Sequence, residues 1–275
     1  MLWRPNHCRR KASIVTTEDF IIGLYCRVDD RMRDVPQHSQ ALLHPSELVT
    51  LAFMFAIKGV GNRAFDRWLR RDFRHLFPAL PERTRLFRLF KTHAALTERF
   101  MAEPTVLGVV DSYGIELIHP VREGRSPRQY GRKGLSNRRW IVGGKLCLLL
   151  NKFGLVVGWE CDTANVSDIC FQPLIRRYEA EMIVCGDSGF HAREGDPSNL
   201  KVCPRGQWNQ RMMVETVLSM LTLVCHFKRV MHREWHYFQM RLAFTMAAFN
   251  VLAQWHGLTP DENGVIHLSI AEFSL

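Results

Sequence analysis

Through residues 1–104 the apolar side chains recur every three or four positions, which is helical spacing. Thr16 or Thr17, with Glu18 and Asp19 behind it, caps a helix running to about Met32. Pro45-Ser-Glu47 opens a second helix, which Gly59 stops. Phe65, Trp68, Leu69, Phe73 and Leu76 predict a third helix from Asn62. Pro78 and Pro81 break the chain, and a fourth helix is expected from Glu82 to Met101. From Thr105 the pattern becomes strand-like. Thr105–Asp111 is a first strand, and 113–118 continue extended. Trp140–Asn151 and Leu155–Asp162 form a hairpin about Lys152-Phe-Gly154. Asn165–Tyr178 reads as a helix, Glu181–Asp187 and Leu200–Pro204 as strands, and Asn209–Arg229 and Glu234–His256 as long helices. The expected division is a helical part over 1–104, a mixed α/β (α+β) part over 105–256 and a tail over 257–275.

Charge changes this picture more than composition does. The chain of 275 residues is 47% hydrophobic and 23% charged, as globular proteins are. It carries 37 Lys+Arg against 27 Asp+Glu, a net +10, and such a surface favours polyanions. Residues 1–104 hold 18 basic and 11 acidic residues, so most of the surplus lies there. Their arginines form solvated helix faces or contact DNA phosphates. The eight cysteines include no C-x-x-C pair, which suits free thiols in a reducing cytoplasm. The N-terminus lacks the apolar core of a signal peptide, and the apolar run Leu48–Ile57 is too short to span a membrane.

Three carboxylates stand where a two-metal site needs them. Asp111 closes the run Thr105-Val-Leu-Gly-Val-Val-Asp111, and Asp187 closes Met182-Ile-Val-Cys-Gly-Asp187. Glu215 lies in an amphipathic helical stretch, with Arg211 one turn before it. Two ions a few ångströms apart need oxygen ligands converging from separate elements. An acid that ends an apolar strand is costly to bury unpaired, so its position calls for a reason.

The element order, with acids on the first strand, after the fourth and on the last crossover helix, is that of ribonuclease H-like folds with five mixed strands. Motifs in that order resemble the bacterial insertion-sequence transposases of the DDE class. Trp208-x2-Arg211-x3-Glu215 is similar to their Y-x2-R-x3-E-x6-K signature. Val109-Val-Asp111-Ser112 resembles the box of the first acid, and Cys185-Gly-Asp187-Ser-Gly189-Phe190 that of the second. Gly144-Lys145-Leu-Cys-Leu148 is like G-x-K-L-H-L, and Thr163-Ala-Asn-Val-Ser-Asp168 is like T-x-A-N-x-x-D. The likeness covers roughly residues 105 to 255, with a fainter one over Glu47–Arg88. Two positions depart: Trp208 replaces Tyr, and Thr222 replaces Lys, with Lys228 and Arg229 further along.

The resemblance implies that Asp111, Asp187 and Glu215 hold two Mg²⁺ ions, with Mn²⁺ able to substitute, and that Arg211 supports Glu215 or grips a phosphate. It implies double-stranded DNA as partner, both transposon end and target, and a homodimer assembled on DNA. The loop 121–139 is expected to contact phosphates through Arg122, Arg125, Arg128, Arg132, Lys133, Arg138 and Arg139, helped by Lys145 and Lys228. A solvated charged loop is the plain alternative. His232 and His236 are spaced four apart but are not H-E-x-x-H, so packing or surface roles suffice. Asp66 and Asp72 are expected to pair with neighbouring arginines, and Asp168 to cap or pair near the first sheet-covering helix. Two other readings stand beside the transposase: a nuclease or resolvase on the same fold, and an inactive DNA-binding relic suggested by the two departures.

Overall fold

The computed structural model describes residues 16–125, 131–136, 139–203, 211–227, 234–259, 262, 266–273 and 275. The N-terminal helices are α1 (Thr17–Met32), α2 (Pro45–Lys58), α3 (Asn62–Asp72) and α4 (Arg83–Thr92). Their starts follow local chemistry. Thr16 Oγ1 accepts from the Asp19 N–H at 3.1 Å while Asp19 accepts from the Thr16 N–H at 3.1 Å, a reciprocal cap. Gly59 ends α2 at φ 64°, a left-handed conformation that glycine adopts without a side-chain clash.

The fourth helix does not run on to Met101. It stops at Thr92, and Ala94–Phe100 winds as a tighter 3-10 helix. That winding places residues three apart on one face, so Thr97 and Phe100 are both buried, with Phe100 5.1 Å from Phe53.

Six strands form one mixed sheet: β1 (Leu107–Ile118), β2 (Arg132–Ser136), β3 (Arg139–Asn151), β4 (Val156–Thr163), β5 (Ile183–Gly186) and β6 (Leu200–Val202). The order is β2-β3-β1-β5-β6, with β4 also on β3. β1 is antiparallel to β3 and parallel to β5, which is parallel to β6. β2 pairs with Arg139–Gly143 and β4 with Gly144–Leu150, so the two share one edge of β3 end to end.

Five strands were expected from the pattern; the sixth, β2, arises inside the basic, glycine-rich stretch read as a loop. Its glycine makes close approach possible: a Cβ on Gly134 would stand 1.9 Å from the Ala164 carbonyl oxygen. Gly134→Ala should therefore pry β2 from the turn after β4. The expected result is a loss of about 1–3 kcal/mol in urea unfolding, together with faster proteolysis near residue 130.

One face of the sheet carries the 3-10 turn Asp168–Phe171 and the short helix α5 (Gln172–Arg176), with Leu174 against Gly158. The helix predicted over Asn165–Tyr178 is shorter because a 3-10 turn precedes it and Pro173 sits at its start, where a missing N–H costs nothing. The other face carries α6 (Arg211–Leu223) and α7 (Trp235–His256): Phe238 meets Gly144, and Phe227 lies 5.9 Å from Tyr113.

α7 is buried nearly all round, from Phe238 to Ala253, because the N-terminal helices enclose its outer side. Helices and sheet thus share one core. Arg241 lies in it 4% exposed, its guanidinium 4.1 Å over the Phe55 ring and donating to the Ala56 carbonyl at 3.0 Å. Burial pulls its pKa down to about 10, so it stays charged at neutral pH. Among the described residues no single helix is long and apolar enough to cross a membrane.

Candidate active site

The strand register runs toward two of the three predicted acids at equal offset past the last paired residues. β1 and β5 pair in parallel at Leu107 with Ile183, Gly108 with Val184 and Val109 with Cys185. Two residues further along both chains stand Asp111 and Asp187. Asp187 keeps extended backbone angles, φ −82° and ψ 178°, so the alignment carries on to it. Neighbouring strands are about 4.8 Å apart, and paired residues of parallel strands point to one face. Asp111 shares the face of Val109 and Tyr113, which is the α6 and α7 face.

Asp111 does not end its strand as the pattern suggested. β1 continues to Ile118 because β3 still pairs with it there, whereas β5 stops at Gly186. The acids therefore sit at the carboxyl end of β5, beside a stretch of β1 that no described strand pairs on that edge. Crevices at the carboxyl ends of parallel strands are the usual ligand sites of open α/β sheets.

Local hydrogen bonds hold these carboxylates. Asp111 Oδ1 accepts from the Ser112 N–H at 2.7 Å, and Asp187 Oδ1 from the Gly189 N–H at 2.8 Å. Ser112, on the opposite face, donates through its hydroxyl to Asp168 Oδ1 at 2.6 Å. Lys145 Nζ donates to the same oxygen at 3.0 Å and to the Val166 carbonyl at 2.7 Å. The Lys145 side chain is only 14% exposed, so its charge is committed inside the fold and is not presented to a polyanion. Beneath this cluster burial pushes the Cys147 thiol well up, so it is an inert apolar filler.

Glu215 comes from α6. α6 begins beside the β3–β4 turn, where Met213 approaches the Cβ position of Gly154 at 3.5 Å, and past its end Phe227 lies 5.9 Å from Tyr113. Two residues past Met213 is about 3 Å of helix. Asp111 lies three residues beyond Gly108, which pairs with Asn151 at that turn, or roughly 10 Å up the strand. Glu215 thus lies on the same side of the sheet as Asp111 but nearer the turn, and it is exposed while Val214, Val217 and Leu221 are buried. Among the described residues no three His, Cys, Asp or Glu side chains stand close enough together to hold a metal ion.

The basic residues fall in three groups. Arg122, Arg125 and Arg132 are exposed. Lys133 is 3.6 Å from Glu123 and 5.5 Å from the Trp140 ring centre, and Arg139 pairs with Glu116. Arg128, Arg138 and Lys228, with Trp208 and the Arg211 side chain, lie outside the described residues. Leu135 pairs with Trp140 across the β2–β3 hairpin, and they are 57% and 56% exposed. The hairpin projects beyond the carboxyl ends of β5 and β6, the end at which Asp187 stands. Asp66 and Asp72 are paired with Arg70 and Arg71 at 3.0 and 2.7 Å.

An open cleft of about 790 Å³ lies elsewhere, between the 3-10 helix Ala94–Phe100, β4 and α7. Its walls include Trp159, Tyr178, Arg177 and Lys91 but only one acid, Glu98, so it lacks the donors of a metal centre. The side chain that sequence reasoning undervalued is Asp168, set aside as a capping or pairing residue. It does pair, with Lys145 and Ser112, and Ser112 also ties it to Asp111. The one signal was that Ser112 follows an acid directly and needs an acceptor if half-buried. Comparison with known proteins gave no match: no family model, no curated protein and no solved structure aligned significantly with the chain.

Proposed function

We propose that the chain is a DDE-type transposase that cuts DNA and joins the cut end to a second DNA by direct phosphoryl transfer. The observation that supports this reading is the β1–β5 register, which runs toward Asp111 and Asp187 at equal offset, with the basic β2–β3 hairpin projecting beyond the carboxyl end of β5. The donor set fits Mg²⁺: hard carboxylate oxygens with space for water and phosphate oxygens, and no soft ligand required. Asp111 and Asp187 would hold the metal, and Glu215 would complete the set from α6. Bound Mg²⁺ supplies Lewis-acid stabilisation of charge on the phosphate and lowers the pKa of bound water.

The chain's own groups supply position. The Ser112 and Gly189 N–H groups fix the two carboxylates before substrate arrives. Arg122, Arg125, Arg132 and Lys133 meet phosphates along the duplex, and Trp140 offers an apolar face to an unpaired base or a sugar. The partner is double-stranded DNA, and simultaneous action on two ends asks for a dimer on DNA. Seven described free cysteines suit a reducing cytoplasm.

The test is incubation of the purified chain and Mg²⁺ with the DNA that flanks its reading frame, followed by mapping of 3′ ends and of joints to a plasmid. Cleavage without joints supports the nuclease or resolvase reading. Binding without cleavage in Mg²⁺ or Mn²⁺ supports the relic, which Thr222 and the exposed position of Glu215 favour. DNA affinity should depend steeply on salt. Replacing Arg125, Arg132 and Lys133 together by Gln should make the slope of log K against log salt shallower by up to about 3, since each phosphate contact contributes about 0.9. An unchanged slope would mean that this hairpin faces away from DNA.

A further inference from the structure

We propose that Asp168 is a positioning residue for the acid pair: it grips Ser112, which holds Asp111, and it faces Asp187 across Gly189, strengthening the pair's hold on a divalent cation. The proposal rests on the reading of Asp111 and Asp187 as the metal-holding pair. Asp168 stands at the head of the 3-10 turn on the far face of the sheet and is linked to Asp111 through Ser112 and to Asp187 across Gly189. Its Oδ1 accepts from Ser112 Oγ at 2.6 Å, and the N–H of the same serine donates to Asp111 Oδ1 at 2.7 Å. Loss of the Asp168 carboxylate would free the Ser112 side chain and loosen the peptide that orients Asp111.

The second link runs through Gly189. A Cβ built there would stand 2.8 Å from Asp168 Oδ2 and 2.9 Å from Asp187 Oδ1, so those two oxygens are no further apart than the sum of these distances. Both carboxylates thus lie over the space a side chain at Gly189 would enter. Two like charges at that separation, behind partly buried walls, repel each other unless a cation sits between or beside them. Lys145 balances one of them from the Oδ1 side, at 3.0 Å. With Asp168 and Asp187 set against Lys145, negative charge remains in surplus between these two carboxylates. That surplus favours a divalent cation over a monovalent one.

The prediction has a sign that a merely structural role does not share. Mn²⁺ binding, read from the loss of the free-ion paramagnetic signal, should weaken about tenfold in Asp168→Asn, as it does when groups behind metal ligands are neutralised. Lys145→Met strips the counter-charge and should tighten Mn²⁺ binding, although it lowers the melting temperature. DNA affinity should stay unchanged in Asp168→Asn, and its cleavage should recover at high Mg²⁺. A structural role alone would lower the melting temperature and leave the half-saturating Mn²⁺ concentration where it is. Wild-type Mn²⁺ affinity in Asp168→Asn overturns the proposal. Should the unaltered chain bind no Mn²⁺, the phosphoryl-transfer reading itself fails, and the Asp168–Asp187 link is judged by melting of the metal-free protein. Asp187→Asn should then raise the melting temperature more in the wild type than in Asp168→Asn, and equal increments would overturn the link.

Discussion

Asp111→Asn and Asp187→Asn should each lower Mg²⁺-dependent DNA cleavage by more than about a hundredfold, the upper range for groups one shell behind a metal. The exchange leaves shape and hydrogen bonding almost intact. An amide oxygen can still accept from the Ser112 or Gly189 N–H, now at 2.7 and 2.8 Å, so the strand ends should stay in place. What is lost is the anionic oxygen a hard cation demands. DNA binding should survive if, as proposed, the phosphate contacts come from the hairpin. Cleavage should be followed with a labelled end fragment at fixed salt, and binding on the same fragment without metal. Cleavage by Asp187→Asn within a few fold of wild type would remove that residue from the site.

Glu215→Gln is the more discriminating third variant. A drop equal to the other two requires α6 to present Glu215 to the pair when DNA and metal are bound. A small drop leaves Asp111 and Asp187 as the working acids, with Asp168 behind them.

The sequence made some layers of the structure legible and not others. Helix starts were readable where a cap carries the signal, as at Thr16 and Pro45, because the determinants lie within a few residues. Strand identity was readable wherever apolar runs are long, as in β3 and β4. The parallel partnership of the strands that lead to Asp111 and Asp187 is in keeping with two apolar runs that each close on an acid. β2 was not legible. Its residues are basic and glycine-rich, and only the backbones of Gly143 and Ala164 in other elements explain why those glycines form a strand.

The end of α4 was also hidden, since the switch to a 3-10 helix answers to the packing of Phe100 on Phe53. Least legible was the height of α6 along the sheet. Helical spacing tells which residues share a face of α6, with Val214, Val217 and Leu221 buried, but not at what height the helix lies along the sheet. That height depends on contacts such as Met213 with Gly154, distant in sequence and unmarked by any local pattern.

Asn250→Leu should be the most destabilising of the single substitutions considered, at about 2–5 kcal/mol. Asn250 is fully buried on α7, where it joins the two halves of the core. Its Oδ1 accepts from the Val156 N–H at 2.8 Å, and its Nδ2 donates to the Val156 carbonyl at 2.7 Å and the Phe100 carbonyl at 2.9 Å. Leucine fills similar space but leaves the Val156 N–H and the Phe100 carbonyl buried without these partners, each costing about 1–3 kcal/mol. The Val156 carbonyl is less affected, because the Ala102 N–H also reaches it at 2.9 Å.

Asn250→Asp separates loss of partners from loss of packing. A neutral carboxyl can accept from Val156 and donate to one carbonyl, whereas a carboxylate faces two carbonyl oxygens in a buried site. Its folded pKa is therefore raised above the unfolded value. The protonated form is the stabilised one, so stability relative to the wild type is greatest below the unfolded pKa and falls as pH rises through the folded pKa. Urea unfolding at acid and at neutral pH should show Asn250→Asp losing more at neutral pH, while Asn250→Leu differs from the wild type by the same amount at both. An equal loss for Asp at both pH values would mean that water reaches Asn250, and that α7 is less tightly seated on β4 than these hydrogen bonds require.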